Sequence, residues 1–508
     1  MTRRTAILIS LILFKFVLQY TLISPEYDLQ RDEYLHLDQA KHLAWGYLSV
    51  PPVTSWISWC IQLLGNSVVW VKFFPALFGA LTMIVVWKAI EELGGNLFAL
   101  LLGAVCVLFS VLLRLNTLYQ PNSLDVLCWT SVYYILIKYI HTQKNQWLYI
   151  GSVVFAIGFL NKYNIAFLLM GLIPALVLTR QRTLFANRHI WGAALVSLLL
   201  ISPNLIWQYT HDFPVVYHMK ELSARQLVNV NRIDFLKAQL LFFAGSLLVI
   251  LSGLYALLVY KPFDAYKCFF WSIVFTLGVF MYLRAKDYYA IGLYPIYIAF
   301  GSVFVADLSK TGRIRYLQPV MLAVPILLFI PMYNIAFPNK SPDYILVHRE
   351  TYQKLGMLRW EDGKDHALPQ DYADMLGWKE LAAKVDKVYA NFPQPTSTLV
   401  LCDNYGQAGA INYYSQKGIK AVSFNADYLN WFDLSQRYTN LIRVKEKEER
   451  NNELQETSPF FRTSSVADSI TNSFAREHGT TIFAFTGAKI DIRGRLKQEI
   501  EDVQTHRH

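Results

Sequence analysis

The chain has 508 residues, of which 54% are hydrophobic, 15% aromatic and only 17% charged. Soluble domains carry about 25% charge, so a water-soluble multidomain protein is excluded. The net charge of +10 comes without a basic stripe interleaved with aromatics, which argues against a nucleic-acid partner and for loop lysines and arginines that orient a membrane protein. Five cysteines without a CxxC pair support neither a zinc site nor a disulfide framework.

In chain order, the opening MTRRTAILISLILFKFVLQYTLIS joins a basic cap to an apolar run. The run is long for a signal peptide and lacks a small-residue cleavage site, so it is read as a retained first span near 5–24. Ten further spans are predicted near 67–90, 97–113, 123–140, 147–160, 163–179, 189–207, 237–259, 266–283, 289–307 and 315–335, about eleven transmembrane helices in all. Only Asn161 and Lys162 separate 147–160 from 163–179, which therefore read either as two spans or as one broken helix. With the N-terminus cytoplasmic, the inside turns carry Arg3, Arg4, Lys88, Lys144, Arg180, Arg182, Arg188, Lys261, Lys267, Lys310, Arg313 and Arg315, as the positive-inside rule requires. The long, chemically mixed stretches 25–66 and 208–236, and everything after about 336, then lie outside. The expected layout is a membrane domain over 1–337, including the first loop 25–66, and a small extracytoplasmic α/β domain over 338–508. In that tail, TLVLC (398–402) and TTIFAFTG (480–487) read as strands, and RVKEKEERNNELQE (443–456) as a solvated helix or loop.

The first outside loop, SPEYDLQRDEYLHLDQAKHLAWGYLSVPPVTSW (24–56), is rich in acid. At helical phase Asp28, Asp32 and His36 share a face, with Glu33 beside them; such carboxylates accept protons, hold a divalent metal, or are simply solvated. Asp125, at the outer end of a span behind Pro121 and Asn122, reads either as a carboxylate favoured by the helix dipole or as a functional acid. Lys162 interrupts two apolar runs at an outside turn, either snorkelling to the interface or meeting an anion. Arg284 and Lys286 precede Asp287, Tyr288 and Tyr289 on another outside turn, against the orientation bias. His211 follows PNLIWQYT, either solvated, near an acceptor entrance or completing a metal site with Glu33, while Trp207 reads as an interface anchor. Gly406 and Gly409 in NYGQAGAINYY lack the third glycine and the strand–helix setting of a nucleotide loop, and no Walker-type loop or DxD pair is present.

Together the Asp-Glu-Tyr after the first span, HLAWGY, Pro51-Pro52, NTLYQPNSLDVLCW (116–129), FLNKYNIAFL (159–168), SPNLIWQYTHDFP (202–214), RAKDYYAIGLYP (284–295), LPQDYADMLGW (368–378) and NYGQAGAINYY (404–414) resemble the GT-C superfamily. More narrowly, they resemble the glycosyltransferases related to protein O-mannosyltransferases and the lipid A aminoarabinose transferases. The resemblance implies a GT-C fold and transfer of a sugar from a polyprenyl-phosphate donor to a protein or glycolipid acceptor on the outer face of a bacterial inner membrane, with inversion. It implies Asp32 as general base, assisted by Glu33, the two as ligands of a divalent metal (Mg or Mn) where one is used, and Asp125 as the second acid. Tyr34, Lys162, Tyr163, Arg284, Lys286, Tyr288, Tyr289 and His211 are the implied substrate-binding residues. One position departs: the aminoarabinose transferases carry a lysine before the Pro-Pro pair, and here it is Val50, which places the chain outside that subgroup. A second enzyme reading is a lipid-linked saccharide ligase or phosphoethanolamine-type transferase acting on the same face. The competing expectation from another class is a transporter or lipid flippase with an extracytoplasmic domain, which predicts paired charges at mid-helix and repeat symmetry.

Overall fold

The computed structural model describes residues 2–225, 227, 230–392 and 394–506. The chain folds as two compact units. Met1–Leu22, Val50–Thr54 and Gly65–Phe337 form the first; Ile23–Ser49, Ser55–Leu64 and Pro338–His508 form the second. The sequence-based division at 337/338 groups the loop 25–66 with the spans, whereas most of that loop packs with the tail.

The first unit is helical, and each predicted apolar segment is occupied by a helix or a bent helix pair. Five helical stretches are long and apolar enough to cross a membrane: Val68–Glu92, Arg188–Thr210, Lys261–Tyr282, Asp287–Leu308 and Arg313–Ile335. Two bent pairs bring that to seven among the described residues, and Leu97–Leu108 and Gln146–Asn161 are shorter apolar helices. Arg3–Tyr20 and Asn122–Thr142 are further helices that bury polar side chains, Lys15 and Gln19 on one and Asp125 on the other. Apolar residues all round a helix mean different things by position. Asp287–Leu308 is almost wholly enclosed by its neighbours, whereas Arg313–Ile335 is almost wholly uncovered, as a lipid-facing helix is. Small residues let the helices approach closely. A side chain at Gly301 would meet the Val249 carbonyl oxygen, and one at Gly171 would meet Thr276 and the Ser272 carbonyl.

The second unit is built on a five-stranded mixed sheet in the order β2-β1-β3-β5-β4. The strands are β1 (Thr398–Cys402), β2 (Ala421–Ser423), β3 (Asn440–Lys445), β4 (Phe461–Ser469) and β5 (Thr481–Ala488). β1 pairs in parallel with β2 and β3; β5 runs antiparallel to β3 and to β4. The run TLVLC is buried along its whole length, the pattern of a parallel strand covered on both faces. β4 is polar and largely exposed, with an irregularity between Val466 and Asp468, which suits an edge strand.

Two expectations are corrected here. The segment 443–456 is not simply a solvated helix: its first residues end β3, where Arg443 and Lys445 lie close to Asp403 (2.8 and 3.2 Å). Alternation along the strand turns these cations into a charged cluster that local composition hides. Asp28 is not on the loop helix, which starts at Arg31 behind the cap Gln30. Its carboxylate instead accepts the backbone N–H groups of Trp378 and Lys379 (3.1 and 3.2 Å) at the start of the helix Trp378–Ala390. It thereby satisfies donors that this helix cannot satisfy itself.

The loop helix Arg31–Asp38 rests on the helix Tyr405–Tyr414 through the two glycines of NYGQAGAINYY. A Cβ at Gly406 would lie 2.7 Å from Arg31 Cγ, and one at Gly409 would lie 2.7 Å from Tyr34 Cβ and from the Tyr428 hydroxyl. The glycines thus serve close helix packing. Gly409→Val is expected to lower stability by about 1–3 kcal/mol through overpacking, read as a lower thermal midpoint of the detergent-solubilised chain; an unchanged midpoint would show that this seam does not hold the second unit together.

Candidate functional site

In the first unit the polar residues gather around Lys162. The helix Gln146–Asn161 stops there: Lys162 is extended (φ −158°, ψ 128°) although its N–H still reaches the Gly158 carbonyl at 2.8 Å. The stop follows from the flanking asparagines, whose amides find partners outside the helix. Asn161 Nδ2 donates to the Pro121 carbonyl (2.8 Å). Asn164 Nδ2 donates both to Asp125 Oδ2 (2.8 Å) and to the Tyr289 carbonyl (3.0 Å). The two apolar segments either side of Lys162 are therefore helices separated by a break at Lys162.

The break sends the Lys162 side chain onto the start of the helix Asn122–Thr142, where Nζ donates to Asn122 Oδ1 at 2.7 Å. The ammonium also lies 4.4 and 5.2 Å from the ring centres of Tyr289 and Tyr288, within the range of cation–π attraction. Asp125 is buried in the first turn of that helix. Its other oxygen accepts from Trp129 Nε1 at 3.0 Å. Lys162 and Asp125 are near enough to act on each other electrostatically, and Lys286 adds its positive charge to the surroundings of Lys162. Next to them, Tyr163 donates to Asn204 Oδ1 (3.1 Å) and accepts from Gln208 Nε2 (2.9 Å). Lys162, Tyr163, Asp125, Tyr288, Tyr289 and Lys286 thus come together. Arg284 is exposed, with a left-handed backbone (φ 52°) just past the helix Lys267–Tyr282. His211 is exposed too, stacked on Trp207 at 4.2 Å, with Nδ1 2.8 Å from the Trp207 carbonyl; it finishes its own helix. Asn122, Trp129, Asn164, Asn204 and Gln208 belong to the cluster without having been singled out from the sequence, although all five stand in its quoted motifs.

Lys15, on the helix Arg3–Tyr20, is buried. Nζ donates to the Ala76 carbonyl (2.9 Å) and to Gln19 Oε1 (3.3 Å), and Gln19 Nε2 donates to the Leu113 carbonyl (3.2 Å). It is a tie between helices through carbonyl oxygens, unlike the paired mid-helix charges expected of a transporter.

The second unit holds the loop carboxylates. Glu33 is fully buried, and its Oε2 accepts the Gln30 N–H at 2.7 Å while Gln30 Oε1 accepts the Asp32 N–H at 2.9 Å, a capping box. Asp32 is partly exposed and its Oδ1 accepts the Tyr405 hydroxyl at 2.6 Å. Burial and the Asp32 charge hold the Tyr405 phenol well above its ordinary pKa, so it stays a donor. Adjacent residues on a helix do not face each other, and here Asp32 turns to Tyr405 while Glu33 turns back to its own cap. Among the described residues no group of three or more His, Cys, Asp and Glu is placed to hold a metal. Tyr34 is fully enclosed by Trp378, Tyr413 and Tyr414, which makes it a packing residue of this unit.

Residues 49–207 match the family model described as dolichyl-phosphate-mannose-protein mannosyltransferase. The lipid A galacturonosyltransferase RgtD of Rhizobium johnstonii is 23% identical over 221 residues, a match spanning 41% of this chain and 45% of that protein, less than half of either. ArnT from Cupriavidus metallidurans is similar in structure over almost the whole length at 14% identity. Its apo form has a TM-score of 0.65 over 95% of this chain and 98% of that one; the form bound to undecaprenyl phosphate has 0.63 over 94% and 98%.

Asn164 is the bridge in the first cluster. Asn164→Leu would leave Asp125 Oδ2 and the Tyr289 carbonyl each without that donor. The expected cost is about 1–3 kcal/mol, seen as a drop in thermal midpoint that Asn164→Gln only partly restores; no drop would mean that the bridge carries no stability.

Proposed function

From a chain with the fold of the GT-C superfamily glycosyltransferases, we propose a membrane glycosyltransferase that takes its sugar from a polyprenyl-phosphate donor. The acceptor is a protein or glycolipid hydroxyl on the extracytoplasmic face of a bacterial inner membrane. The observation that carries the reading is the Lys162 cluster: an ammonium at the end of a membrane helix, held by Asn122 Oδ1 and the faces of Tyr288 and Tyr289, with Lys286 adding charge nearby. Such a group offers a fixed positive charge to a phosphate, and fixed charge in a low-dielectric setting stabilises a leaving phosphate more than water does. The match to a dolichyl-phosphate-mannose mannosyltransferase model over 49–207, which contains Asp125 and Lys162, supports the same chemistry.

In the proposed step the acceptor oxygen attacks the anomeric carbon and the bond from that carbon to the phosphate oxygen breaks. The electron pair leaves on polyprenyl phosphate, whose charge meets Lys162. The acceptor proton passes to Asp32, the base implied by the resemblance. A single displacement inverts the anomeric centre. Asp125, locked by Trp129 and Asn164, keeps the Lys162 surroundings electrostatically balanced.

Incubating membranes with radiolabelled polyprenyl-phosphate sugars and following the label tests each role separately. Lys162→Gln is expected to lower kcat/KM for the donor by about 10²-fold, and Asp32→Asn to lower kcat by about 10²–10⁴-fold. Wild-type transfer by Lys162→Gln would remove the phosphate assignment, and wild-type transfer by Asp32→Asn the base assignment. Washing the membranes with EDTA is expected to leave transfer intact; loss restored by Mg or Mn would show that a metal is used.

A further inference from the structure

We propose that Tyr405, supplied by the tail, is a positioning residue for Asp32, so that the soluble part of the chain shapes the proton acceptor of the reaction. The inference rests on the assignment of Asp32 as the acceptor base and deepens it.

The contact is specific. The Tyr405 hydroxyl donates to Asp32 Oδ1 at 2.6 Å, the short range of an O–H group bonded to a carboxylate. The residues on both sides are held by independent means. Tyr405 opens the helix Tyr405–Tyr414, whose start is capped by Asn404 Oδ1 accepting the Gln407 N–H at 3.0 Å. The Asn404 amide is in turn gripped by Glu446 (2.6 Å) and Glu477 (3.1 Å), and Gln407 Nε2 donates to Glu477 at 2.7 Å. The Arg31 guanidinium lies 4.6 Å from the Tyr405 ring centre, and the missing side chain at Gly406 is what lets Arg31 come down there. On the other side, the capping box fixes the first turn that carries Asp32. An aspartate on a partly exposed helix turn has several rotamers open to it. A phenol of fixed position bonded to one oxygen selects one of them and sets the plane of the carboxylate, and misplacing a reacting group by about 1 Å costs on the order of 10²-fold in rate.

Tyr405→Phe isolates the hydroxyl, because the ring and its contact with Arg31 remain. In the full chain in membranes, kcat is expected to fall by about tenfold with donor KM unchanged, and the same substitution in an Asp32→Asn background is expected to cost no further activity. A purely structural Tyr405 would instead move the thermal midpoint and leave kcat alone. Wild-type kcat in Tyr405→Phe, with Asp32→Asn inactive, overturns the inference while sparing the base assignment. Wild-type activity in Asp32→Asn overturns the base assignment and the inference with it. Should the Phe variant fail to fold, a ring-fluorinated tyrosine at 405 keeps the shape and strengthens the donor. A changed kcat at constant KM then supports positioning, and an unchanged kcat refutes it.

Discussion

A lysine ammonium at the end of a membrane helix is stable only where partners stand in for water, and the first unit meets that constraint at Lys162. The helix Gln146–Asn161 ends so that the ammonium reaches Asn122 Oδ1 and two tyrosine faces. The asparagines on either side then tie the break to its neighbours, Asn161 to the Pro121 carbonyl and Asn164 to Asp125 and the Tyr289 carbonyl. One charged residue thus organises the ends of three helical segments. The same arrangement leaves a cation where a lipid phosphate arrives in the proposed reaction.

The second unit obeys a different constraint, backbone and carboxylate satisfaction among buried groups. The first loop contributes residues that complete the tail. Asp28 caps a tail helix, Asp38 accepts from Asn412 and Tyr428, and Asp427 accepts from Gln39 and the Leu48 N–H. Most of the acidity of this loop is therefore structural, and Asp32, partly exposed and held by Tyr405, stands apart from it. The residues that the family resemblance marks as a single chemistry are distributed over two units, each of which fixes its own share by its own network.

The apolar helices and the strands TLVLC and TTIFAFTG were readable because each depends on a local contrast: a long apolar run or an alternation. The partners of these residues were not readable. Asn164 meets Asp125 across 39 positions and Tyr405 meets Asp32 across 373, distances at which no local pattern survives. The cap role of Glu33 was hidden for the opposite reason: one of its partners is a backbone N–H three residues away, which side-chain chemistry alone does not announce. Arg443 and Lys445 looked solvated beside their acidic neighbours until β3 carried them to Asp403.

What the sequence determined by itself is therefore the division between lipid-facing and water-facing chain, together with a set of chemically able side chains. Hydrophobic burial is set by composition along each segment and needs no knowledge of its neighbours. Only the tertiary structure decided which of those side chains are spent on caps, packing and ties and which are brought together with charge to offer. Hydrogen bonds and ion pairs depend on distances of a few ångströms between residues far apart in the chain, and folding alone sets those distances.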